Sequence, residues 1–209
     1  MNKEFIKRVL STIILLPLTF YFLIQGSHIL IFFIGICFMI SSYEWYMMSK
    51  NKPYKIYGFI FLMISFYTFY LLSIDVVDIF FVILICIFTD IGGYVFGKLF
   101  KGPKLTKISP NKTYAGMIGG FFLSLISLII IVKIIDYSGS LKNLFLIIIS
   151  ISTVSQIGDI IISYFKRLSK IKNTGVLIPG HGGLLDRIDG MIFAFPIYYI
   201  INFLEISNI

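Results

Sequence analysis

The sequence has few charged residues, and this scarcity excludes a water-soluble globular fold. Only 13% of its 209 residues are Asp, Glu, Lys or Arg, whereas about a quarter is usual in soluble domains. The hydrophobic fraction is 58% and the mean hydropathy is +0.95. Such a chain lacks the polar residues that would cover a soluble surface, so we predict an integral membrane protein.

Cysteine is also scarce, which argues against a disulfide framework or a cysteine-ligated metal. The two cysteines, Cys37 and Cys86, both lie inside apolar runs and have no spacing typical of a metal site. The net charge of +8 raises nucleic acid as an alternative partner. We exclude nucleic acid because the basic residues lie in short segments between apolar runs, as is typical of loops at a cytoplasmic membrane surface.

Long apolar runs dominate what the sequence does contain. A membrane-spanning helix needs about 20 mainly apolar residues, and backbone within lipid must satisfy its own hydrogen bonds. We therefore predict an all-α, polytopic membrane bundle of about seven transmembrane helices. The predicted spans are 9–25, 28–48, 56–74, 76–97, 115–135, 143–163 and 188–206. We interpret the first as an uncleaved helix rather than a signal peptide, because no A-x-A-like cleavage site follows it.

The distribution of basic residues predicts the orientation of these helices. With a cytoplasmic N-terminus, sixteen of the eighteen Lys and Arg residues fall in cytoplasmic loops, and only Lys133 and Lys142 lie outside. This asymmetry follows the positive-inside rule, so we place the N-terminus in the cytoplasm and the C-terminus outside. We expect a single membrane domain over 1–209, with N-terminal helices in 1–75 and a catalytic half in 76–206.

An ionisable residue lies inside the fourth predicted span. Asp90, Tyr94 and Lys98 repeat at intervals of four residues, so they share one helix face. A charge at membrane depth is costly, which favours a functional role for Asp90. The alternative is an ion pair with Lys98 that anchors the helix end.

Paired glycines occur on either side of the following loop. Gly93 with Gly97, and Gly116 with Gly120, form two GxxxG pairs. For both pairs we predict close helix packing, because glycine lets two helix backbones approach each other.

The loop between these glycine pairs is rich in hydroxyl and amine groups. Ser109, Lys112 and Thr113 stand just before a predicted helix. Backbone N–H groups at a helix start, together with Lys and hydroxyl side chains, can form a phosphate site. The alternative is an ordinary basic loop in which Ser or Thr caps the helix, and composition does not decide between the two.

Polar residues also cluster at the end of the sixth predicted span. Asp159, Ser163, Lys166 and Lys170 follow helical spacing and form one stripe. A carboxylate next to lysines suits a metal-bound polyphosphate, since the carboxylate binds the cation and the lysines balance phosphate charge. The alternative is a solvated interfacial helix.

A glycine-rich segment, residues 179–189, precedes the last predicted span. Gly182 and Gly183 permit close approach of a ligand to the backbone. A lone histidine such as His181 is usually structural or contacts a lipid headgroup, and the alternative within this glycine-rich segment is that it contacts a phosphate or positions a ligand. Asp186 and Asp189 are adjacent on one helix face, where two carboxylates favour a bound cation. Because the ligands are hard oxygens, Mg²⁺ is favoured over Zn²⁺.

These motifs resemble those of the phosphatidate cytidylyltransferase (CDP-diacylglycerol synthase) family over about residues 88–190. The matching positions are Asp90, Gly93, Tyr94, Phe96, Gly97, Lys98, Ser109, Pro110, Lys112, Thr113, Gly116, Gln156, Gly158, Asp159, Ser163, Lys166, Arg167, Lys172, 179–183, Asp186, Arg187 and Asp189. The sequence departs from the family pattern at Asn111, Ala115, Ile162 and Asn173, and the last three replace family carboxylates. The chain is short for the family, and we expect it to have one or two fewer N-terminal helices than larger members.

The resemblance implies a Mg²⁺-dependent nucleotidyltransferase that makes CDP-diacylglycerol and pyrophosphate from CTP and phosphatidate in a bacterial inner membrane. It implies metal ligands at Asp159, Asp186 and Asp189, with Asp189 and Asp90 also available to a second cation. The implied catalytic residues add Lys166, Arg187 and His181, and the implied substrate-binding residues are Asp90, Lys98, Ser109, Lys112, Thr113, Ser163, Arg167, Lys172, Gly182 and Gly183.

Three other interpretations stay open from the sequence. One is a related membrane transferase that acts on another lipid or prenyl phosphate. Another is a transporter, although that class commonly has ionisable residues in several spans and inverted repeats, and this sequence shows no repeat. A scaffold role would leave the ordered Asp, Lys and His motifs unexplained. The expected partners are CTP, phosphatidate and membrane phospholipid, and we also consider a homodimer, on which the sequence carries no signal.

Overall fold

The computed structural model describes residues 17–106, 108–134, 139–177 and 182–204. Within these ranges the protein is helical, and its extended backbone pairs only in isolated bridges such as Lys104 with Thr113. The helices are α1 (Ser27–Met48), α2 (Lys55–Leu72), α3 (Val76–Phe100), α4 (Tyr114–Ser124), α5 (Ile126–Ile134), α6 (Leu141–Leu168), α7 (Leu185–Ile188) and α8 (Met191–Phe203), and 17–25 are helical as well. The predicted all-α class is confirmed.

Five helical segments of the described chain are long and apolar enough to cross a membrane. They are His28–Met48, Lys55–Leu72, Val76–Phe100, Tyr114–Lys133 and Leu141–Leu168, and they match the second to sixth predicted spans. The seventh prediction corresponds to α8, whose 13 residues rise only about 20 Å against a hydrocarbon core of about 30 Å. The first falls largely outside the described residues. The polytopic membrane character is confirmed, but the count of about seven spans is not.

The fourth of these segments consists of two helices separated at Leu125. Here the Ser124 hydroxyl donates to the Phe121 carbonyl at 2.8 Å, and the Ser127 hydroxyl donates to the Ser124 carbonyl at 2.5 Å. Serine hydroxyls that bond to preceding carbonyls commonly bend helices. The local sequence therefore accounts for the break between α4 and α5.

The chain forms two compact units. The first comprises Met1–Val76 and Phe165–Ile188, and the second comprises Val77–Tyr164 and Asp189–Ile209. The predicted single membrane domain, with its N-terminal and catalytic halves, stays a prediction.

In the first unit, α1 packs against α2 and also contacts the short helix α7. An aromatic cluster of Trp45, Tyr54 and Phe165 lies at the end of α1, with ring centroids 4.8 to 6.0 Å apart. The Trp45 indole nitrogen donates to the Lys55 carbonyl at 2.9 Å. Buried indole N–H groups need such a partner, and this bond fixes the turn between α1 and α2.

In the second unit, polar side chains join α3 to the helices packed against it. The buried Asp78 accepts hydrogen bonds from the Tyr198 hydroxyl at 2.6 Å and from the Asn202 amide at 2.5 Å, which attach α8 to α3. The Thr89 hydroxyl donates to the Ser152 hydroxyl at 2.8 Å and links α3 to α6. Such bonds replace the water that these groups lose on burial.

The glycine pairs allow α3 and α4 to pack backbone against backbone. A Cβ atom built at Gly97 would lie 3.6 Å from Gly116 Cα, and one at Gly116 would lie 2.7 Å from the Gly93 carbonyl oxygen. The predicted close packing is confirmed. Gly92 takes part too, since a Cβ there would lie 2.8 Å from the Gly119 carbonyl carbon.

We expect Gly92→Ala to destabilise the protein by about 1–3 kcal/mol, the usual cost of overpacking. The added methyl group would overlap the α4 backbone, which cannot move aside as a side chain can. Gly35→Ala on α1 is the control, because a Cβ there meets nothing within 4 Å. Thermal unfolding in detergent should show a lower midpoint for Gly92→Ala alone; equal midpoints for the two variants would contradict the packing described here.

Candidate active site

In the first unit, Lys166 and Asp186 form a buried ion pair. Lys166 Nζ lies 2.9 Å from Asp186 Oδ1, and the two side chains are 10% and 7% exposed. The other carboxylate oxygen accepts the backbone N–H groups of Thr174 at 2.8 Å and Gly183 at 3.0 Å. Asp186 thus joins the end of α6 to two segments of the loop that follows it.

Two glycines of the predicted motif are required by their surroundings. Gly182 has a φ of +94°, a conformation that favours glycine, and a Cβ there would lie 2.6 Å from Asp186 Oδ2. A Cβ at Gly183 would overlap Glu44 Oε2 and Thr174 Oγ1. The glycine turn, defined here as residues 182–186, therefore closes around carboxylate oxygens.

Glu44 on α1 was not predicted from the sequence, yet it binds this turn. It is 4% exposed. Its Oε1 accepts the Leu184 N–H at 2.9 Å, while Oε2 accepts the Leu185 N–H and the Thr174 hydroxyl, each at 2.8 Å. The criterion applied to Asp90, an ionisable residue late in an apolar run, would also have selected Glu44. No comparable signal marks Thr174.

In the second unit, Lys112, Asp159 and Ser163 lie together. Lys112 Nζ is 2.6 Å from Asp159 Oδ2, and the side chains are 22% and 34% exposed. The Ser163 hydroxyl lies 3.4 Å from Asp159 Oδ1, as expected for residues four apart on α6. This group is more open to solvent than the pair in the first unit.

The loop that carries Lys112 is shaped by its own backbone. The Leu105 N–H donates to the Lys112 carbonyl at 2.7 Å, and the Lys112 N–H donates to the Ser109 carbonyl at 3.0 Å. Thr113 is the N-cap of α4, where its hydroxyl oxygen accepts the Gly116 N–H at 3.1 Å. The capping interpretation is confirmed for Thr113, and the role of the loop in phosphate binding stays a prediction.

On α3, the predicted common face of Tyr94 and Lys98 is confirmed. Lys98 Nζ lies 5.7 Å from the centre of the Tyr94 ring, and both side chains are exposed, as is Asp90. In the same unit, Asp189 Oδ1 accepts the Gly190 N–H at 3.0 Å just before α8.

The stripe predicted along α6 is wrong at Lys170. Asp159, Ser163 and Lys166 all lie on this helix, but the helix ends at Leu168 and Lys170 has a φ of +57°. Beyond the helix end the chain no longer follows helical spacing.

The other predicted basic residues lie at the end of α6, just beyond it, and in α7. The Arg167 guanidinium donates to the Ile171 carbonyl at 3.0 Å. Lys172 and Arg187 are exposed, and His181 lies outside the described residues.

Among the residues that the structure describes, no group of three or more His, Cys, Asp or Glu side chains is placed to hold a metal ion. Asp186 lies in the first unit, whereas Asp159 and Asp189 lie in the second. The shared cation of these three carboxylates therefore stays a prediction. Mg²⁺ itself commonly uses one or two protein carboxylates and completes its shell with water and phosphate oxygens, so a three-residue cage is not required.

The motifs that carry these side chains lie in a segment that matches a known protein family. Residues 72–204 match the model of the cytidylyltransferase family. The chain belongs to this family. The resemblance inferred from the motifs is confirmed, and all described carboxylates of the predicted site lie within the matching segment.

Its relatives include three staphylococcal proteins named phosphatidate cytidylyltransferase. That of Staphylococcus haemolyticus is 36% identical over 176 residues, which cover 80% of this chain. Those of Staphylococcus saprophyticus and Staphylococcus aureus are each 41% identical, over 124 and 114 residues, or 59% and 54% of this chain. The matches cover 67%, 48% and 44% of the lengths of these relatives.

We expect Lys166→Met to lower the stability by about 3 kcal/mol, because it leaves the buried Asp186 carboxylate without its cation. Lys170→Met is the matched control, since this exposed lysine lies just beyond the same helix, and such surface changes usually cost less than about 0.5 kcal/mol. Thermal unfolding in detergent measures both. A Lys166→Met protein as stable as the control would show that the ion pair is not a significant contributor.

Proposed function

We propose that this membrane protein is a phosphatidate cytidylyltransferase, which converts CTP and phosphatidate to CDP-diacylglycerol and pyrophosphate. The observation that carries the proposal is the presence of two lysine–carboxylate pairs, Lys112–Asp159 and Lys166–Asp186, inside the segment that matches the family. The names of the staphylococcal relatives support the choice of substrates.

The reaction exchanges one phosphorus–oxygen bond for another. An oxygen of the lipid phosphate attacks the α-phosphorus of CTP, and the bond from that phosphorus to the pyrophosphate oxygen breaks. Such transfers need little covalent chemistry from the protein. Most of the decrease in the activation free energy comes from positioning the substrates and neutralising their charge. The protein therefore needs cationic groups for phosphate oxygens and carboxylates for a cation, and both kinds are present.

In the second unit, Asp159 is suited to bind the cation. Its side chain is 34% exposed, and the contact of its Oδ1 atom with Ser163 is long at 3.4 Å. A hard carboxylate oxygen of this kind fits Mg²⁺, which when bound would neutralise phosphate charge. Lys112 beside it would balance the negative charge of phosphate oxygens. Asp189 is the further ligand that we propose for the cation in this unit.

In the first unit, Asp186 and Lys166 would act together. Two backbone amides and the Lys166 ammonium already hold the Asp186 carboxylate, so its position is fixed before substrate binds. Lys166 is one of the motif residues inside the segment that matches the family, and on that ground we assign its ammonium to a phosphate oxygen. Arg167, Lys172, Arg187 and His181 remain proposed phosphate contacts.

The substrates dictate where the enzyme works. Acyl chains of phosphatidate stay in the bilayer while CTP arrives from water, so the reaction needs a membrane surface. The apolar helices and the bacterial relatives fit the cell membrane of a bacterium, which is the inner membrane where there are two, and we propose that the site faces the cytoplasm. A homodimer stays a prediction.

The direct test is the formation of CDP-diacylglycerol by the purified protein in detergent, from radiolabelled CTP and phosphatidate, with Mg²⁺ or with EDTA. Product that requires both phosphatidate and Mg²⁺ is the expected result. A prenyl phosphate in place of phosphatidate tests the related transferase. Product from the prenyl phosphate alone would overturn the proposed substrate.

We expect Asp159→Asn to lower kcat by about 10²-fold or more, because the amide keeps the shape but loses the charge that binds a cation. Asp75→Asn is the control, since Asp75 is an exposed carboxylate in the short segment between α2 and α3. Initial rates at saturating CTP and phosphatidate measure the difference. An Asp159→Asn enzyme that retains wild-type kcat would refute its assignment as cation ligand.

A further inference from the structure

The mechanism above gives no role to Glu44, a buried carboxylate that binds the glycine turn. Glu44 lies on α1, outside the residues 72–204 that match the family, and it is only 4% exposed. Removing a carboxylate from water is energetically unfavourable unless new hydrogen bonds replace those with water. Glu44 therefore depends on the groups that surround it.

Those groups belong to the loop that carries Asp186. Three consecutive backbone N–H groups of the glycine turn point at carboxylates: Gly183 donates to Asp186, and Leu184 and Leu185 donate to Glu44. The donors that bind Glu44 are thus neutral groups more than a hundred residues away along the chain. Their alignment fixes the backbone immediately before Asp186.

Thr174 links the two carboxylates further. Its backbone N–H donates to Asp186 Oδ2, and its hydroxyl donates to Glu44 Oε2, both at 2.8 Å. A Cβ at the next residue, Gly175, would lie 2.8 Å from Glu44 Oε1. Glu44 and Asp186 therefore hold the same two segments of the loop, and a shift of one segment would move the Asp186 carboxylate relative to Lys166.

We propose that Glu44 is a positioning residue for the transferase reaction, which holds the glycine turn so that Asp186 and Lys166 keep their places. This inference rests on the proposed function and extends its machinery to an N-terminal helix. Glu44 acts through the turn rather than on the substrate. Its removal should therefore lower kcat, with a smaller change in KM for CTP.

The first test is Glu44→Gln in the full chain, measured for kcat and for KM. Both carboxylate oxygens accept hydrogen bonds, so the amide NH₂ group must face a donor in either orientation. We expect kcat to fall about 10²-fold, as for a misplacement of about 1 Å. Asp78→Asn is the control, because this buried carboxylate accepts its hydrogen bonds from Tyr198 and Asn202 on α8.

A second measurement does not need turnover. Hydrogen exchange followed by mass spectrometry should show faster exchange across residues 182–186 in Glu44→Gln, about tenfold or more, and no such change in Asp78→Asn. Thr174→Val, which lacks only the hydroxyl, should lower kcat about tenfold, the equivalent of one hydrogen bond to a charged group. Thr174→Ser keeps the hydroxyl and should retain the activity, which gives a test even if Glu44→Gln does not fold.

The outcomes separate this inference from the proposed function. Wild-type protein that makes no CDP-diacylglycerol would refute the proposed function. Amide exchange across residues 182–186 would then still show whether Glu44 holds the glycine turn. An active enzyme in which Glu44→Gln keeps kcat, or loses no more kcat than Asp78→Asn, would overturn the inference. Unchanged exchange in residues 182–186 would overturn it as well.

Discussion

Buried carboxylates that accept backbone N–H groups are the interactions on which the loop around the candidate site depends. Asp186 and Glu44 take the amides of Thr174, Gly183, Leu184 and Leu185. A buried amide N–H left without an acceptor would lower the stability by about 1–3 kcal/mol. The carboxylates therefore stabilise the loop backbone, and the backbone amides stabilise the buried carboxylates. The glycines follow from this arrangement, because a Cβ at residue 182 or 183 would occupy the space that the oxygens fill.

The second unit uses a different constraint. There α3 and α4 approach through glycines, and their contact is made largely by backbone rather than by side chains. In lipid, helices gain little from hydrophobic association, so close packing between small residues is a main source of attraction. That packing places the α4 N-cap, Thr113, next to Gly97, while the residue before it, Lys112, reaches Asp159 on α6.

The two lysine–carboxylate pairs differ in a way that matters for function. Lys166 and Asp186 are nearly enclosed, whereas the Asp159 side chain is 34% exposed although the Lys112 Nζ atom beside it is buried. Enclosed charges keep fixed positions, and a partly exposed carboxylate such as Asp159 can exchange a protein partner for a ligand. Both properties suit an enzyme that works mainly by positioning phosphate groups and neutralising their charge.

The sequence by itself determined five of the apolar helices, the close packing at the GxxxG glycines and the family, because long apolar runs and spaced motifs are properties of neighbouring residues. It could not show that Glu44 binds Leu184, since 140 residues separate them and nothing local links the two. It also placed Lys170 on a helix that ends at Leu168. Tertiary structure decided these points. Burial and hydrogen bonding between distant segments determine which carboxylate binds the loop and at which residue a helix ends.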